Sequence, residues 1–234
     1  MSAGQAWAQA ARALLEEALA GACVESPAGE RLPLHSELPA EEGRVLQHWF
    51  RESSASRVLE IGCAYGISSL YLCEVMAERD VGCYHVIDAF QSSEWRNVGL
   101  GHLQRARPEG GFEFHEELSE LCLPRLLAQG EHYDFAFVDG WHTFDQVMLE
   151  FYYINRMLAP GGIVVFDDVH LPALQKVLAY LSAYPCYETL APPAAVTNSM
   201  KAHVRRLAGV PAIRLQALQK IASDSRDWDW YVDF

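Results

Sequence analysis

Hydrophobic positions recur at helical spacing through the first fifty residues, then give way to short β-rich runs that alternate with helical ones. Trp7, Ala11, Leu14, Leu15, Ala18 and Leu19 share one face of a helix over 6–20. Gly21 and Pro27 end it. Residues 25–40 hold three prolines and mixed charge, and read as a loop. Pro39-Ala-Glu-Glu-Gly43 then opens a second helix through Val45, Leu46, Trp49 and Phe50.

From residue 57 the pattern predicts strands at 57–61, 83–87, 112–115, 133–138 and 162–166. Helices are expected between them at 67–79, 94–106, 119–129 and 143–158. The last carries the stripe Phe144, Val147, Met148, Phe151, Ile154, Met157 and Leu158. Such alternation implies right-handed crossovers and a parallel sheet with helices on both faces. After Asp168 a helix is expected over 172–183 and a strand over 186–190. Residues 191–203 read as irregular, with Pro192-Pro193 and Asn198-Ser199, and a basic, helical-looking stretch follows. The expected fold is α/β: a doubly wound sheet, mostly parallel with an antiparallel C-terminal strand, plus N-terminal helices. It forms one domain over 1–234, in which 1–52 is a helical segment for substrate or dimer contacts.

Composition narrows the partners. With 234 residues, half of them hydrophobic, the chain can bury one sizeable core. A formal charge of -13 repels phosphate backbones and argues against nucleic acid. Ile163-Val-Val-Phe166 is the most apolar strand-like run and is far too short to span a bilayer. No basic region followed by an apolar stretch marks a secretory signal. The six cysteines (23, 63, 73, 83, 122 and 186) contain no Cys-x-x-Cys pair, so reduced thiols in a cytoplasmic protein are expected.

The candidate chemistry begins at Val58-Leu-Glu-Ile-Gly-Cys-Ala-Tyr-Gly66, where a strand end opens a helix. Ligands of doubly wound sheets sit beyond the carboxyl ends of the strands. Glycine lets a backbone approach a ligand and turn without Cβ strain. By itself the pair Gly62 and Gly66 is also compatible with an ordinary strand-to-helix turn. Dinucleotide loops need Gly-x-Gly-x-x-Gly, so that a pyrophosphate can rest on backbone N–H groups; that spacing is missing, as is a Gly-Lys-Ser/Thr phosphate loop. A ligand without phosphates fits better. Glu60 favours a cationic ligand. Asp88, ending the second strand, can accept both ribose hydroxyls or cap a helix.

Asp139 ends the fourth strand, and Asp167 and Asp168 end the fifth, so three carboxylates open on one sheet edge. Unpaired, they would raise one another's pKa. A hard divalent cation, Mg²⁺ by default, resolves that conflict; caps and salt bridges are the alternative. His142, three residues past Asp139, can take a proton from an acceptor hydroxyl, and His170 is a weaker rival. The other seven histidines show no metal-ligand spacing and read as surface or core. Trp141 is expected in the pocket and Trp95 in the packing.

The motifs Glu60-Ile-Gly-Cys-Ala-Tyr-Gly66 and His85-Val-Ile-Asp88 resemble those of class I methyltransferases, whose core is Rossmann-like. Phe135-Ala-Phe-Val-Asp-Gly-Trp-His142 and Leu158-Ala-Pro-Gly-Gly-Ile-Val-Val-Phe-Asp-Asp168 are similar to those of the macrocin-type O-methyltransferases and, more distantly, the catechol type. The resemblance covers residues 40–190. It implies S-adenosylmethionine as cofactor, bound by the core at 53–234. Glu60, Gly62, Cys63, Ala64, Tyr65, Gly66, Ser68, Asp88, Asp139 and Trp141 would line its pocket, with Ser119 near the adenine. Asp139, Asp167 and Asp168 would hold the metal. Asp139 and His142 would act on the hydroxyl of a small natural-product acceptor. The resemblance also allows a homodimer. The basic stretch Lys201–Arg206 reads as a solvated face or as a recognition element for an acidic substrate. Four rival readings stay open: metal-independent N-methylation, a metal-bound hydrolase or hydroxylase-like enzyme, a catalytically silent binding subunit, and, against the missing third glycine, an NAD oxidoreductase.

Overall fold

A computed structural model describes residues 3–79, 82–107, 111–197, 204, 205, 207 and 212–233. The chain opens with helix α1 (Ala3–Gly21), a hairpin of β1 (Cys23–Glu25) and β2 (Arg31–Pro33), and helix α2 (Ala40–Glu52). The core then alternates β3 (Arg57–Ile61), α3 (Ile67–Arg79), β4 (Cys83–Ile87), α4 (Val98–Ala106), β5 (Glu113–His115), α5 (Ser119–Ala128), β6 (Tyr133–Val138), α6 (Phe144–Met157) and β7 (Leu158–Phe166). It closes with α7 (Pro172–Leu181), β8 (Tyr187–Leu190), the short α8 (Ala194–Thr197) and β9 (Gln216–Lys220).

The main sheet has the order β5-β4-β3-β6-β7-β9-β8. Strands β3 to β7 pair in parallel, and β9 runs antiparallel to both β7 and β8. Period-two alternation sends successive strand residues to opposite faces. Val58, Phe135, Phe137 and Val165 pack toward α1, α2, α3 and α4. Leu59, Ala136, Val138, Val164 and Phe166 pack toward α5, α6 and α7. The doubly wound, mostly parallel sheet with an antiparallel C-terminal strand is therefore as expected. Among the described residues no helix is long and apolar enough to cross a membrane.

Four local expectations are corrected. The loop at 25–40 contains the β1–β2 hairpin, turned by Gly29 at φ 81°. Helix α4 starts at Val98 rather than residue 94, because Arg96 and Asn97 take left-handed backbone (φ 51° and 57°) that no α-helix continues. Strand β7 begins at Leu158, before Pro160, through a register shift against β6. Gln216–Lys220 is a strand, although Gln, Ala, Leu and Lys are good helix formers. Its backbone is paired on both sides and Leu218 is fully buried, so tertiary context overrides propensity. Leu218→Ala is therefore expected to cost about 2–5 kcal/mol, as for a core leucine, read from the urea denaturation midpoint. A surface helix would lose far less.

Candidate active site

The hydrogen-bond ladder runs one residue past several strand ends. The Gly62 N–H donates to Ile87 O at 2.9 Å, Asp139 N–H to Ile61 O at 2.8 Å, Asp167 N–H to Val138 O at 3.0 Å, and Asp88 N–H to His115 O at 3.1 Å. Gly62, Asp88, Asp139 and Asp167 thereby line the carboxyl edge of the sheet. Gly62 has φ 88°, and a Cβ there would lie 2.0 Å from the Asp139 carbonyl oxygen. Only glycine permits this approach. Gly66 (φ 75°) plays the same part against α4, where its Cβ would lie 2.9 Å from Gly99 Cα.

Asp88 organises the loop between the two glycines. Its Oδ2 accepts the N–H groups of Cys63 (3.0 Å) and Ala64 (2.7 Å) and the Gln91 amide (3.1 Å), while Oδ1 accepts the Phe90 N–H at 2.9 Å. Glu60 sits beneath the loop, fully buried, and accepts hydroxyls from Ser68 and Ser69, each at 2.6 Å, and from Tyr84. Burial pushes its carboxyl up to about 7 against the lowering effect of those donors.

Two cavities meet over this edge. The larger, about 600 Å³, is lined by Gly62, Ala64, Asp88, Phe90, Ser119 and Trp141 among others. The smaller, about 450 Å³, takes in Ser36–Leu38 from the N-terminal segment together with Cys63, Tyr65, Ser68, His142, Asp167, Asp168 and Arg214. Gly62, Ala64, Trp95, Asp139 and Gly140 line both. Glu60 and Gly66 line neither; they hold the loop from below. Tyr65 faces the smaller cavity, where its hydroxyl meets His35 Nε2 at 2.9 Å. Trp95 was expected to be packing alone. It packs edge-on to Tyr65, with centroids 5.0 Å apart, and also lines both cavities.

Carboxylates dominate the electrostatics. Burial and Asp168 push Asp139 well above the usual carboxylate range. Burial, Asp139 and Asp168 push Asp167 up to about 8. His142 Nε2 lies 3.6 Å from Asp139 Oδ1 and 3.9 Å from Asp168 Oδ2; His170 Nδ1 lies 3.6 Å from Asp168 Oδ1. These are ion-pair rather than hydrogen-bond distances, and His142 Nε2, Asp168 Oδ1 and His170 Nδ1 are buried without a hydrogen-bond partner. Arg214 Nη1 approaches Asp168 Oδ1 at 3.3 Å, while its Nε donates to Glu42 at 3.0 Å. Asp168 itself takes φ 52°, a strained backbone for a residue with a Cβ.

Other participants carry no motif. His35 and Ser36–Leu38 come from the N-terminal loop, and Arg214 precedes the unanticipated β9. Glu150 and Gln146 on α6 line the larger cavity; Glu150 Oε1 accepts the Ser119 hydroxyl at 2.7 Å, and its Oε2 is buried without a partner. A glutamate among the apolar positions Val147, Phe151 and Ile154 was the available signal. Lys201–Arg206 lies outside the described residues except for Val204 and Arg205. His85 and His115, expected as bland surface or core, close on one another across β4 and β5 together with Glu113. Strand pairing brings them together, which no local spacing reveals.

Residues 59–169 match the family model described as a methyltransferase domain. This stretch is a methyltransferase domain. The match runs from β3 past the end of β7, and so contains the glycine loop and all three aspartates, as the class I resemblance of the motifs implied. Solved structures share the fold. An O-methyltransferase from Bacillus cereus in complex with SAH aligns with a TM-score of 0.63 and 17% identity over 91% of each chain. The O-methyltransferase TomG from Streptomyces achromogenes, involved in tomaymycin synthesis and solved with SAM, gives 0.64 and 18% over 92% of this chain and 90% of that one. An SAH-bound methyltransferase from Podospora anserina gives 0.58 and 18% over 79% and 80%.

The buried Glu60 carries a pH signature for the methyltransferase domain. Its folded pKa, about 7, exceeds the ordinary 4.5, so the folded state holds the extra proton between these values. That contribution to stability is complete below the unfolded pKa and is lost as pH rises through about 7. Denaturation at pH 5, 6, 7 and 8 is expected to show stability falling with pH, and Glu60→Gln to make the fall shallower. An unchanged slope in the variant would remove Glu60 from this role.

Proposed function

We propose that the chain transfers the methyl group of S-adenosylmethionine to a hydroxyl of a small natural-product molecule, assisted by Mg²⁺. The observation that carries the reading is the junction of the two cavities at Gly62, Ala64, Asp139 and Gly140. The larger would take the nucleoside and the smaller the acceptor, so that the two reactants meet over the carboxyl edge of β3 and β6. The cofactor, when bound, supplies a methyl carbon already activated on a sulfonium. The protein then mainly has to position the partners, which can supply about 7–11 kcal/mol of barrier reduction. Transfer forms one O–C bond, breaks one C–S bond and releases the hydroxyl proton.

In this reading Asp88 presents its remaining acceptor capacity to the ribose while holding the loop. Ser119, with Glu150 behind it, borders the adenine. Buried carboxyls with raised pKa values and orphaned polar atoms around Asp168 fit a cation. Asp139, Asp167 and Asp168 would hold Mg²⁺, which when bound makes a coordinated hydroxyl more acidic. His142, with its free Nε2, takes the proton. A metal-free reading has one observation in its favour: Arg214 already brings a positive charge to Asp168.

Calorimetric titration with S-adenosylmethionine, with Mg²⁺ and then with chelator, tests cofactor and metal separately. Turnover of hydroxylated acceptors should stop with chelator or in Asp167→Asn/Asp168→Asn, and His142→Ala should lower kcat by about 10²–10⁴-fold. Turnover indifferent to chelator and to the double substitution would favour the Arg214-based, metal-free reading. Full His142→Ala activity from pH 6 to 9 would refute the base assignment.

A further inference from the structure

A second cluster of ligating side chains lies at the β4–β5 edge of the sheet. His85 is paired with Glu113 across the ladder, and period two places His115 on the same face of β5 as Glu113. His85 Nδ1 and His115 Nε2 are 3.3 Å apart. The Glu113 carboxylate comes within 3.6 Å of His115 Nε2 and 3.8 Å of His85 Nε2. Both imidazoles are buried and Glu113 is exposed.

We propose that His85, Glu113 and His115 bind a borderline divalent transition metal of the zinc class, which fastens the edge strand β5 to β4. Two nitrogens on one tetrahedral zinc, each about 2.0–2.1 Å from the metal, stand about 3.4 Å apart, close to the spacing seen here. Two imidazoles and a carboxylate are a donor set that suits zinc and disfavours Mg²⁺. The hydrogen bond between the two rings puts a proton on one of these nitrogens, and a metal seated between them would displace that proton. Glu113 adds the negative charge, and its exposed side chain can swing in. Arg125 Nη2 lies 3.4 Å from His115 Nδ1 and is ion-paired with Glu117; a metal on Nε2 moves the imidazole proton to Nδ1, so on metal binding Arg125 must turn from His115 toward Glu117. Tyr133 meets His85 edge-on at 5.6 Å, and its hydroxyl is buried without a hydrogen-bond partner.

The position gives the metal a consequence. The His115 carbonyl receives the Asp88 N–H, and Asp88 holds the glycine loop. Glu117, Leu118 and Ser119, which follow β5, border the larger cavity. Tying β5 to β4 would therefore steady one wall of that cavity.

Untagged, full-length protein in excess Mg²⁺, which occupies oxygen-donor sites, should be titrated with Co²⁺ and then with Zn²⁺. A stoichiometric amount of Co²⁺ is expected to give intense d–d absorption that Zn²⁺ abolishes, and Zn²⁺ should raise the thermal midpoint. Glu113→Gln, a surface change that leaves the fold intact, should weaken Co²⁺ binding by about 10–100-fold or more, against the 10–100-fold that even outer partners of a ligand carry. His115→Gln should remove the absorption while the circular dichroism of the fold persists. Absence of d–d bands in the wild type, or bands unchanged in both variants, would leave a histidine–histidine hydrogen bond and overturn the proposal.

Discussion

The contact on which the site depends is the backbone of Gly62 against the carbonyl of Asp139. A Cβ at Gly62 would lie 2.0 Å from that oxygen, so the ends of β3 and β6 come together only because the side chain is missing. That approach carries the ladder past the strand ends and sets Asp139 over the point where the two cavities join. Asp88 completes the arrangement by clamping the N–H groups of Cys63 and Ala64, so the loop is stiff before any ligand arrives. Preorganisation of this kind is what a reaction limited by positioning requires.

Around this frame the protein buries carboxyl groups that it does not fully pair. Glu60 and Glu150 are each pushed up to about 7 and Asp167 to about 8, chiefly by burial. Each shift is a free-energy cost carried by the folded state. Arg214 offsets part of it at Asp168 but shares its charge with Glu42. A cation bound beside such carboxyls would favour their ionised form, and the proposed ligands, a sulfonium and a divalent metal, are both cationic.

Much of this was legible in the sequence where chemistry is local. Strands 57–61, 83–87 and 133–138 are found with the expected bounds because their apolar runs are short, β-rich and bounded by turn residues. The loop Gly62–Gly66 and the aspartates at three strand ends follow from the alternation of elements. Asp88 stands at the end of its strand, where the alternation of elements puts it, yet its grip on the loop could not be seen, since the donors are backbone groups 24 and 25 positions away. Arg214, His35 and the His85–His115 pair were missed for a related reason. Their roles arise from strand order and from chain segments folding back, and neither leaves a periodic signal. Strand β9 was misread because five helix-favouring residues take their conformation from the strands on either side.

The most direct test of the central claim is a crystal structure of the protein grown with S-adenosylhomocysteine and Mg²⁺. The nucleoside is expected in the larger cavity, with its ribose at Asp88 and its sulfur at the junction beside Gly62 and Asp139, pointing toward His142. A nucleoside bound elsewhere, or a larger cavity left empty at millimolar ligand, would contradict that claim.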